Sequence, residues 1–269
     1  MKKFVFSLIL ILPVFIVFAQ KENNKVLLGY LTGNFTNPSY VNGNLKEMTQ
    51  ITYAAKLENG KIVKGDKLNE TVDSNAHSTF YYNKNGELIK KVFYDMKGNP
   101  SWIAIINNEG KKIDKVFWLK KDTLLQYNKL KYENGYLKEI SSYNTTDDTV
   151  RFKMVYINDK NGFKVKQENY NTSGLKTYET VWERDNNGRM KTFTSKNAKG
   201  EIISSGKYEY KELWDPVITT TIISQGNEIN EAIRRDFEFD KNGNWIRQIR
   251  YKNNELFNIT ERTYVFFDK

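Results

Sequence analysis

Residues that could perform catalysis are few in this chain of 269 amino acids. It has no cysteine and a single histidine, His77. A Cys/His dyad is therefore excluded, a zinc site of ordinary ligands is disfavoured, and any Ser/His/Asp triad would have to use His77. Neither a Gly-x-Ser-x-Gly elbow nor a phosphate-binding glycine loop occurs. We expect His77 to be an ordinary surface histidine and the protein to have no catalytic residue, metal site or cofactor.

Carboxylate pairs leave one enzymatic route open, because a glycosidase needs only two acids that face each other across a cleft. The chain has 32 Asp and Glu residues, so chance pairs are certain and the pattern has little specificity. Turns such as Asp240-Lys241-Asn242-Gly243 also suggest calcium, but glycine stands at the fourth position rather than the sixth, and no bidentate Glu follows at the twelfth. Turn formation explains these segments, and we expect no calcium.

Turn segments recur at regular intervals along the chain, and they separate the strands that would position any functional site. Glycines that follow a polar residue recur at spacings of about 12 and about 25 residues. In a segment such as Asn83-Lys84-Asn85-Gly86, the leading Asx can bond the backbone just after it, and the glycine takes the left-handed conformation that closes a hairpin. The structural turn residues predicted in this way are Gly86, Gly98, Gly110, Gly135, Gly162, Gly174, Gly188, Gly200, Gly226 and Gly243.

The segments between the turns are rich in residues that favour strands, as in residues 152–157 and 264–267. The sequence therefore predicts an all-β fold, a long antiparallel meander of repeated β-hairpins with about 14–17 strands. We expect it to form a curled single sheet or an open sandwich-like array. Residues 20–76, with N-terminal strands and a connecting loop, and the repeat region of residues 77–269 are expected to form one continuous domain.

Alternation along the strands predicts which side chains share a face. In the hairpin that turns at Gly243, one face is expected to carry Phe237, Phe239, Trp245, Ile249 and Tyr251. In the hairpin that turns at Gly110, both faces are apolar, with Trp102, Ala104, Ile106, Val116 and Trp118 on one and Ile103, Ile105, Ile113, Phe117 and Leu119 on the other. The sheet is therefore expected to cover its own middle. Gly206 lies between turns and is expected to tolerate a side chain better than Gly243, so Gly243→Val should cost more stability than Gly206→Val.

The N-terminus has the layout of a secretory signal peptide, with Lys2 and Lys3, an apolar run over residues 4–18 and a small residue at Ala19. The run is shorter than the ~20 residues of a membrane-spanning helix, although a retained anchor is the alternative. We predict that residues 1–19 are removed between Ala19 and Gln20. The protein is then exported, periplasmic or extracellular, and not membrane-spanning after cleavage. Since it has no cysteine, it is not a lipoprotein.

The charge pattern narrows the choice of partners. The formal net charge is +10, but basic and acidic residues alternate and no run of five or six like charges exists. Nucleic acid is therefore not expected as a partner.

An outer-membrane barrel is a further alternative. Its strands need ~9–11 residues with an uncharged lipid-facing set, whereas segments such as residues 131–139 carry several Lys and Glu.

The turn segments resemble the repeat of the YD-repeat proteins, a family related to RHS elements, in which an aromatic residue and Asp precede Gly and then Asn or Arg. The nearest matches are Tyr94-Asp95-Met96-Lys97-Gly98-Asn99 and Phe239-Asp240-Lys241-Asn242-Gly243-Asn244. The whole chain is similar to small secreted YD-like proteins of Bacteroidetes. This resemblance implies a β-hairpin array and no particular activity.

The function expected from the sequence is that of an exported, non-enzymatic β-repeat protein, a scaffold or binding surface in the cell envelope or outside the cell. The alternative is a glycan-binding or glycan-cleaving protein that uses exposed aromatic residues and paired carboxylates. Aromatic residues make up 14% of the chain, and they can fill a core as cross-strand ladders or stack against sugars. The partner is unknown, and an envelope polysaccharide and another envelope protein are the two classes considered.

Overall fold

The computed structural model describes residues 41, 44–68, 76–109, 112–185, 189–210, 216–224 and 227–268. Every regular element within these ranges is a β-strand. Across the same ranges there is no helix that could cross a membrane. The signal-peptide prediction, with Ala19 and Gln20, and the predicted turn residues Gly110, Gly188 and Gly226 lie outside the described residues.

The strands follow one another along the chain with short connections. The first nine are β1 (Leu45–Glu58), β2 (Lys61–Lys67), β3 (His77–Tyr82), β4 (Leu88–Tyr94), β5 (Pro100–Glu109), β6 (Lys112–Lys120), β7 (Thr123–Glu133), β8 (Tyr136–Asn144) and β9 (Val150–Asn158). The remaining eight are β10 (Lys164–Tyr170), β11 (Lys176–Arg184), β12 (Met190–Asn197), β13 (Ile202–Tyr210), β14 (Pro216–Ser224), β15 (Asn227–Phe239), β16 (Trp245–Lys252) and β17 (Glu255–Phe266).

The sheet closes on itself, so the expectation of an open curled sheet or a sandwich-like array is wrong. From β3 to β17 each strand pairs antiparallel with the next, and β1 then pairs with β17 on one edge and with β3 on the other. The result is a closed barrel of 16 strands, with β2 as one extra strand beside β1. Closure removes the two free edges that an open meander of this length would expose.

The turns follow a common design that explains how so regular a meander forms. The side-chain oxygen of Asp95 accepts hydrogen bonds from the backbone N–H groups of Lys97 and Asn99, at 2.9 and 2.8 Å. The N–H of Gly98 donates to the Asp95 carbonyl at 3.1 Å, and Gly98 has a φ of +85°. The same pattern begins at Asn83, Asp159, Asn171, Asn197 and Asp240.

The interior of the barrel, which we call the lumen, is identified by burial. Directly opposed residues of antiparallel neighbours point to the same side, so the pairs Met48–Phe80, Phe80–Lys91 and Lys91–Ala104 define one face across four strands. The relative exposures are 1% for Met48 and 0% for Phe80, Lys91 and Ala104. Because a closed barrel encloses only one face, this face lines the lumen and the other forms the outer wall.

The outer wall carries charge in the middle of its strands. Lys166 of β10 forms ion pairs with Glu168 at 2.9 Å and with Glu179 of β11 at 3.0 Å. Arg247 of β16 pairs with Glu238 of β15 at 2.8 Å. The extra strand β2 is attached to this wall, since Lys64 pairs with Glu261 at 2.9 Å and Arg247 donates to the Ile62 carbonyl.

Bulges overturn the face predicted for the hairpin at Gly243. Phe237 lies opposite Gln248, and the register shifts between Glu238 and Phe239. Phe237, Phe239 and Trp245 therefore share the lumen with Gln248 and Arg250, whereas Ile249 and Tyr251 lie on the outer wall. A bulge between Asn107 and Asn108 likewise moves Ile113 to the lumen. One extra residue per bulge reverses every side chain beyond it.

Gly206 has less room for a side chain than its place between turns suggests, and its ranking against Gly243 stays a prediction. Gly206 of β13 lies opposite Phe193 of β12 on the lumen face. A Cβ there would stand 2.1 Å from the Phe193 ring and 2.8 Å from the carbonyl oxygen of Thr219. The ring occupies the space above the glycine, so the strand requires glycine at a position where its φ is ordinary.

Candidate functional site: an aromatic and lysine platform on the outer wall

The predicted turn glycines within the described residues lie at the two rims of the barrel. Those within the described residues that have positive φ are Gly86, Gly98, Gly135, Gly162, Gly174, Gly200 and Gly243. They close hairpins and bring no chemically reactive side chains together. Across the described ranges, no group of three or more His, Asp and Glu residues could hold a metal ion.

His77, the one histidine, stands on β3 opposite Ile51 of β1. Its ring packs against that of Tyr94 in a tilted arrangement, with centroids 4.7 Å apart. Burial, with the nearby charge of Lys67, lowers the pKa of His77 below its usual value. The imidazole is therefore neutral near pH 7 and packs as an aromatic ring in the outer wall.

A row of aromatic rings crosses the outer wall on β6, β7 and β8. Phe117 lies opposite Tyr127, and Tyr127 lies opposite Tyr143. The ring centroids are 6.1 Å apart for the first pair and 5.1 Å for the second, and the two tyrosine rings are stacked at 10°. Ile105 of β5 continues the row beyond Phe117. All three rings are half-buried, so their faces are partly open to solvent.

A second row, parallel to the first, carries lysines. Lys115 of β6 lies opposite Lys129 of β7, Lys129 opposite Ser141 of β8, and Ser141 opposite Lys153 of β9. Two ammonium groups directly opposite each other disfavour the sheet. The pair is compensated in part by the aromatic row, because the Lys129 ammonium lies 4.7 Å from the Tyr143 centroid and 5.4 Å from that of Tyr127. We call the two rows together the platform.

The edges of the platform hold its rings and charges in place. The Tyr127 hydroxyl donates a hydrogen bond to the carboxylate of Asp148 in the β8–β9 turn. That bond raises the pKa of Tyr127 to about 12, so the hydroxyl keeps its proton. The Lys153 ammonium stands 5.0 Å from the ring of Tyr170, which extends the alternation of cations and rings to β10.

The carboxylate beside the platform is unsuited to acid catalysis. Burial would raise the pKa of Glu139, but hydrogen bonds from Ser141 at 2.8 Å and Lys131 at 3.1 Å outweigh it and hold the pKa below the usual range. Farther round the wall, Glu168 and Glu179 face each other. Both have lowered pKa values, that of Glu179 being about 2 because Lys176 and Lys166 bind it. A glycosidase needs one carboxyl that keeps its proton. Neither Glu139 nor the Glu168–Glu179 pair supplies such a carboxyl.

Sequence reasoning missed the platform because it placed Phe117 on a face that the sheet was expected to cover. The turns of the sequence contain the information that would have revealed this row of rings. Folding the chain about the turns at Lys121-Asp122 and Asn134-Gly135 brings Phe117, Tyr127 and Tyr143 into one row. That step needs the two-residue length of each turn, which the positive φ of these four residues reveals.

Comparisons with known proteins give no family. No family model matches the chain, and no curated protein matches it. The resemblance of its turns to YD repeats therefore stays a prediction.

Solved structures of low similarity include a porin-like protein from Bacteroides uniformis, at 8% identity and a TM-score of 0.40, covering 84% of this chain and 100% of that one. A second, from Bacteroides vulgatus, has 12% identity and a TM-score of 0.34, covering 83% and 99%. The Tc holotoxin pore of Photorhabdus luminescens has 14% identity and a TM-score of 0.33, covering 78% of this chain and 11% of its own.

Proposed function

We propose that this chain is an exported, non-enzymatic glycan-binding protein of the cell envelope or cell exterior, and that the platform holds an acidic polysaccharide. The observation that carries the proposal is the parallel course of the two rows. Phe117, Tyr127 and Tyr143 offer ring faces for sugar rings, and the lysine row beside them offers charge for carboxylates.

The shape of the platform favours an extended polymer over a compact ligand. The two rows run across strands spaced about 4.8 Å apart, so neighbouring rings and neighbouring lysines repeat at a short, regular interval. An extended chain laid across the strands can contact several of them at once. Each contact is weak alone, and the repetition adds their contributions.

The outer wall favours an aqueous setting. Transmembrane strands present an uncharged band about 25 Å tall to lipid, whereas this wall has ion pairs such as Lys166–Glu179, Arg247–Glu238 and Lys64–Glu261 within its strands. We therefore expect the protein to remain soluble without detergent. Its recovery only in detergent extracts of the outer membrane would contradict this expectation.

The test is a binding titration with two forms of one polymer, polygalacturonate and its fully methyl-esterified derivative, in which each carboxylate is replaced by an uncharged methyl ester. The wild type should bind polygalacturonate more tightly. Lys129→Gln should bring the two affinities close together, because the lysine row attracts carboxylates. Tyr143→Ala should weaken binding to both forms by about tenfold or more, because stacking is worth ~1–3 kcal/mol per ring.

The matched controls come from the opposite part of the wall, where the Arg234 guanidinium lies 3.8 Å from the Tyr251 ring. Arg234→Gln and Tyr251→Ala remove a cation and a ring of the same arrangement outside the platform. They should leave both affinities unchanged. Equal losses in platform and control variants would refute the site, and tighter binding of single-stranded DNA than of polygalacturonate would refute the ligand class.

A further inference from the structure

The lumen face of β15, β16 and β17 collects positive charge. Arg235 of β15 lies directly opposite Arg250 of β16, and both guanidinium groups point into the barrel. Both residues are half-buried. Two like charges opposite each other disfavour a sheet pair, and partial removal from water increases the cost.

The neighbourhood of this pair adds hydrogen-bond donors. Asn258 of β17 lies opposite Arg250, and Gln248 stands two residues before Arg250 on the same face. Asn258 is 1% exposed and Gln248 is 5% exposed. The buried Nε of Arg250, Nε2 of Gln248 and both Nδ2 and Oδ1 of Asn258 have no hydrogen-bond partner within the described residues. Buried donors are rarely left in this state.

The surrounding lumen extends the positive field toward β11 and β13. Burial raises the pKa of Tyr208 on β13, and the charges of Arg235 and Arg184 act in the opposite direction. Glu231 of β15 also faces the lumen, but it pairs with Lys252 at 2.6 Å toward the rim of the β16–β17 turn.

We propose that Arg235, Arg250, Gln248 and Asn258 form a binding site for a phosphate group inside the barrel. A dianionic tetrahedral group presents several acceptor oxygens, and planar guanidinium groups bind such oxygens through paired N–H bonds. A bound phosphate would lie between the guanidinium groups of Arg235 and Arg250, and it would accept hydrogen bonds from the side-chain amides of Gln248 and Asn258. This site is independent of the platform, which lies on the opposite face of other strands.

The test uses pyrophosphate and inorganic phosphate as probes, with sodium chloride at matched ionic strength as the baseline. We expect pyrophosphate to raise the unfolding temperature of the wild type beyond the chloride baseline and to bind in calorimetric titration. Arg250→Gln should weaken binding at least tenfold. Arg247→Gln is the matched control, because Arg247 lies on the same strand but faces the outer wall.

Asn258→Asp separates the site from a general effect on folding. The substitution is isosteric and places a carboxylate opposite Arg250, where the phosphate would lie. It should raise the unfolding temperature without phosphate and abolish the response to pyrophosphate. An undiminished response in Asn258→Asp and Arg250→Gln, or an equal loss in Arg247→Gln, would overturn the proposal, as would a wild type that responds to pyrophosphate no more than to chloride.

Discussion

Two parts of the lumen differ in the polarity and the solvent exposure of the side chains that line them. The side chains of β3–β9 that face inward are mostly apolar and closed to solvent, with exposures of 0% for Phe80, Ala104 and Ile140. The inward side chains of β10–β16 are more open and more polar, with exposures of 39% for Tyr178 and 47% for Phe239. Burial of apolar area stabilises the first part, whereas the second part carries cations and amides, among them Lys164 and Gln248 at 4% and 5% exposed. The apolar and the polar lining of the lumen therefore occupy different arcs of the barrel.

The largest expected effect comes from matched truncations in the two arcs. Phe80→Ala should lower the free energy of unfolding by ~3–5 kcal/mol, because it removes a fully buried ring and leaves a cavity. Phe239→Ala should cost less than about half as much, because nearly half of its ring surface is already in water. Denaturant titration of both variants measures the difference. Equal losses would mean that the two arcs are equally packed.

Lys164, at the border of the arcs, provides a pH-dependent test. It is 4% exposed, and burial, with repulsion from Arg184, lowers its pKa to about 7. Its ammonium lies 4.3 Å from the Trp182 ring and 5.0 Å from that of Tyr156. Between pH 7 and the ordinary lysine pKa of 10.5, the unfolded chain binds more protons at this residue than the folded chain does. This group therefore makes the protein more stable as pH rises through that window.

Replacing Lys164 by Met removes the cost of burying an ammonium group. The free energy of unfolding of the variant at pH 7 should therefore exceed that of the wild type by on the order of 1 kcal/mol or more. The advantage should shrink toward pH 10. Unfolding titrations at several pH values test it, with Lys207→Met as the control on the outer wall, where the lysine side chain is 62% exposed. An advantage that does not change with pH would show that Lys164 is protonated in both states.

A smaller effect is expected at the arginine pair of the open arc. Arg235→Gln should raise the free energy of unfolding by up to about 1 kcal/mol in phosphate-free buffer, because it removes a like-charge contact with Arg250. The neighbouring Arg234→Gln, which loses an outer-wall contact with Asp236, should not stabilise the protein. Chemical denaturation at low salt measures both. A loss of stability in Arg235→Gln would indicate that the pair is compensated within the fold.

The smallest effect is expected on the outer wall. Glu179→Gln breaks the ion pairs with Lys166 and Lys176, at 3.0 and 2.8 Å. Because these groups are partly exposed, the loss should be within about 1 kcal/mol and should fade in 1 M salt. Unfolding at low and high salt tests this. A larger loss that salt does not reduce would mean that the wall is less hydrated than its exposure indicates.

The strands and turns could be predicted, but the barrel and its sites could not. A turn such as Asp95–Gly98 is local, since the Asx side chain and the glycine determine it within a few residues. Closure depends on the pairing of Leu45–Ala54 with Asn258–Phe266, which no local pattern indicates. The interleaved charges looked uniform in sequence, and only the register assigns Arg235 and Arg250 to the lumen and Glu238 to the wall. A single bulge at that hairpin reversed the expected faces.

The position of β1 has a consequence for how the chain acquires its structure. The hydroxyls of Thr52 and Thr260 lie 3.0 Å apart and join strands separated by 208 residues. The other strand pairs of the barrel join segments close in the chain, as hairpins from β3 to β17 and as the pairing of β1 with β3 across β2, so they can form early at little entropic cost. The last seam must wait until β17 exists and has reached β1. Until then, the partly folded chain has two unpaired strand edges that can pair with strands of other chains. A segment that holds β1 apart would therefore delay closure of the barrel until both ends of the sheet are free to meet.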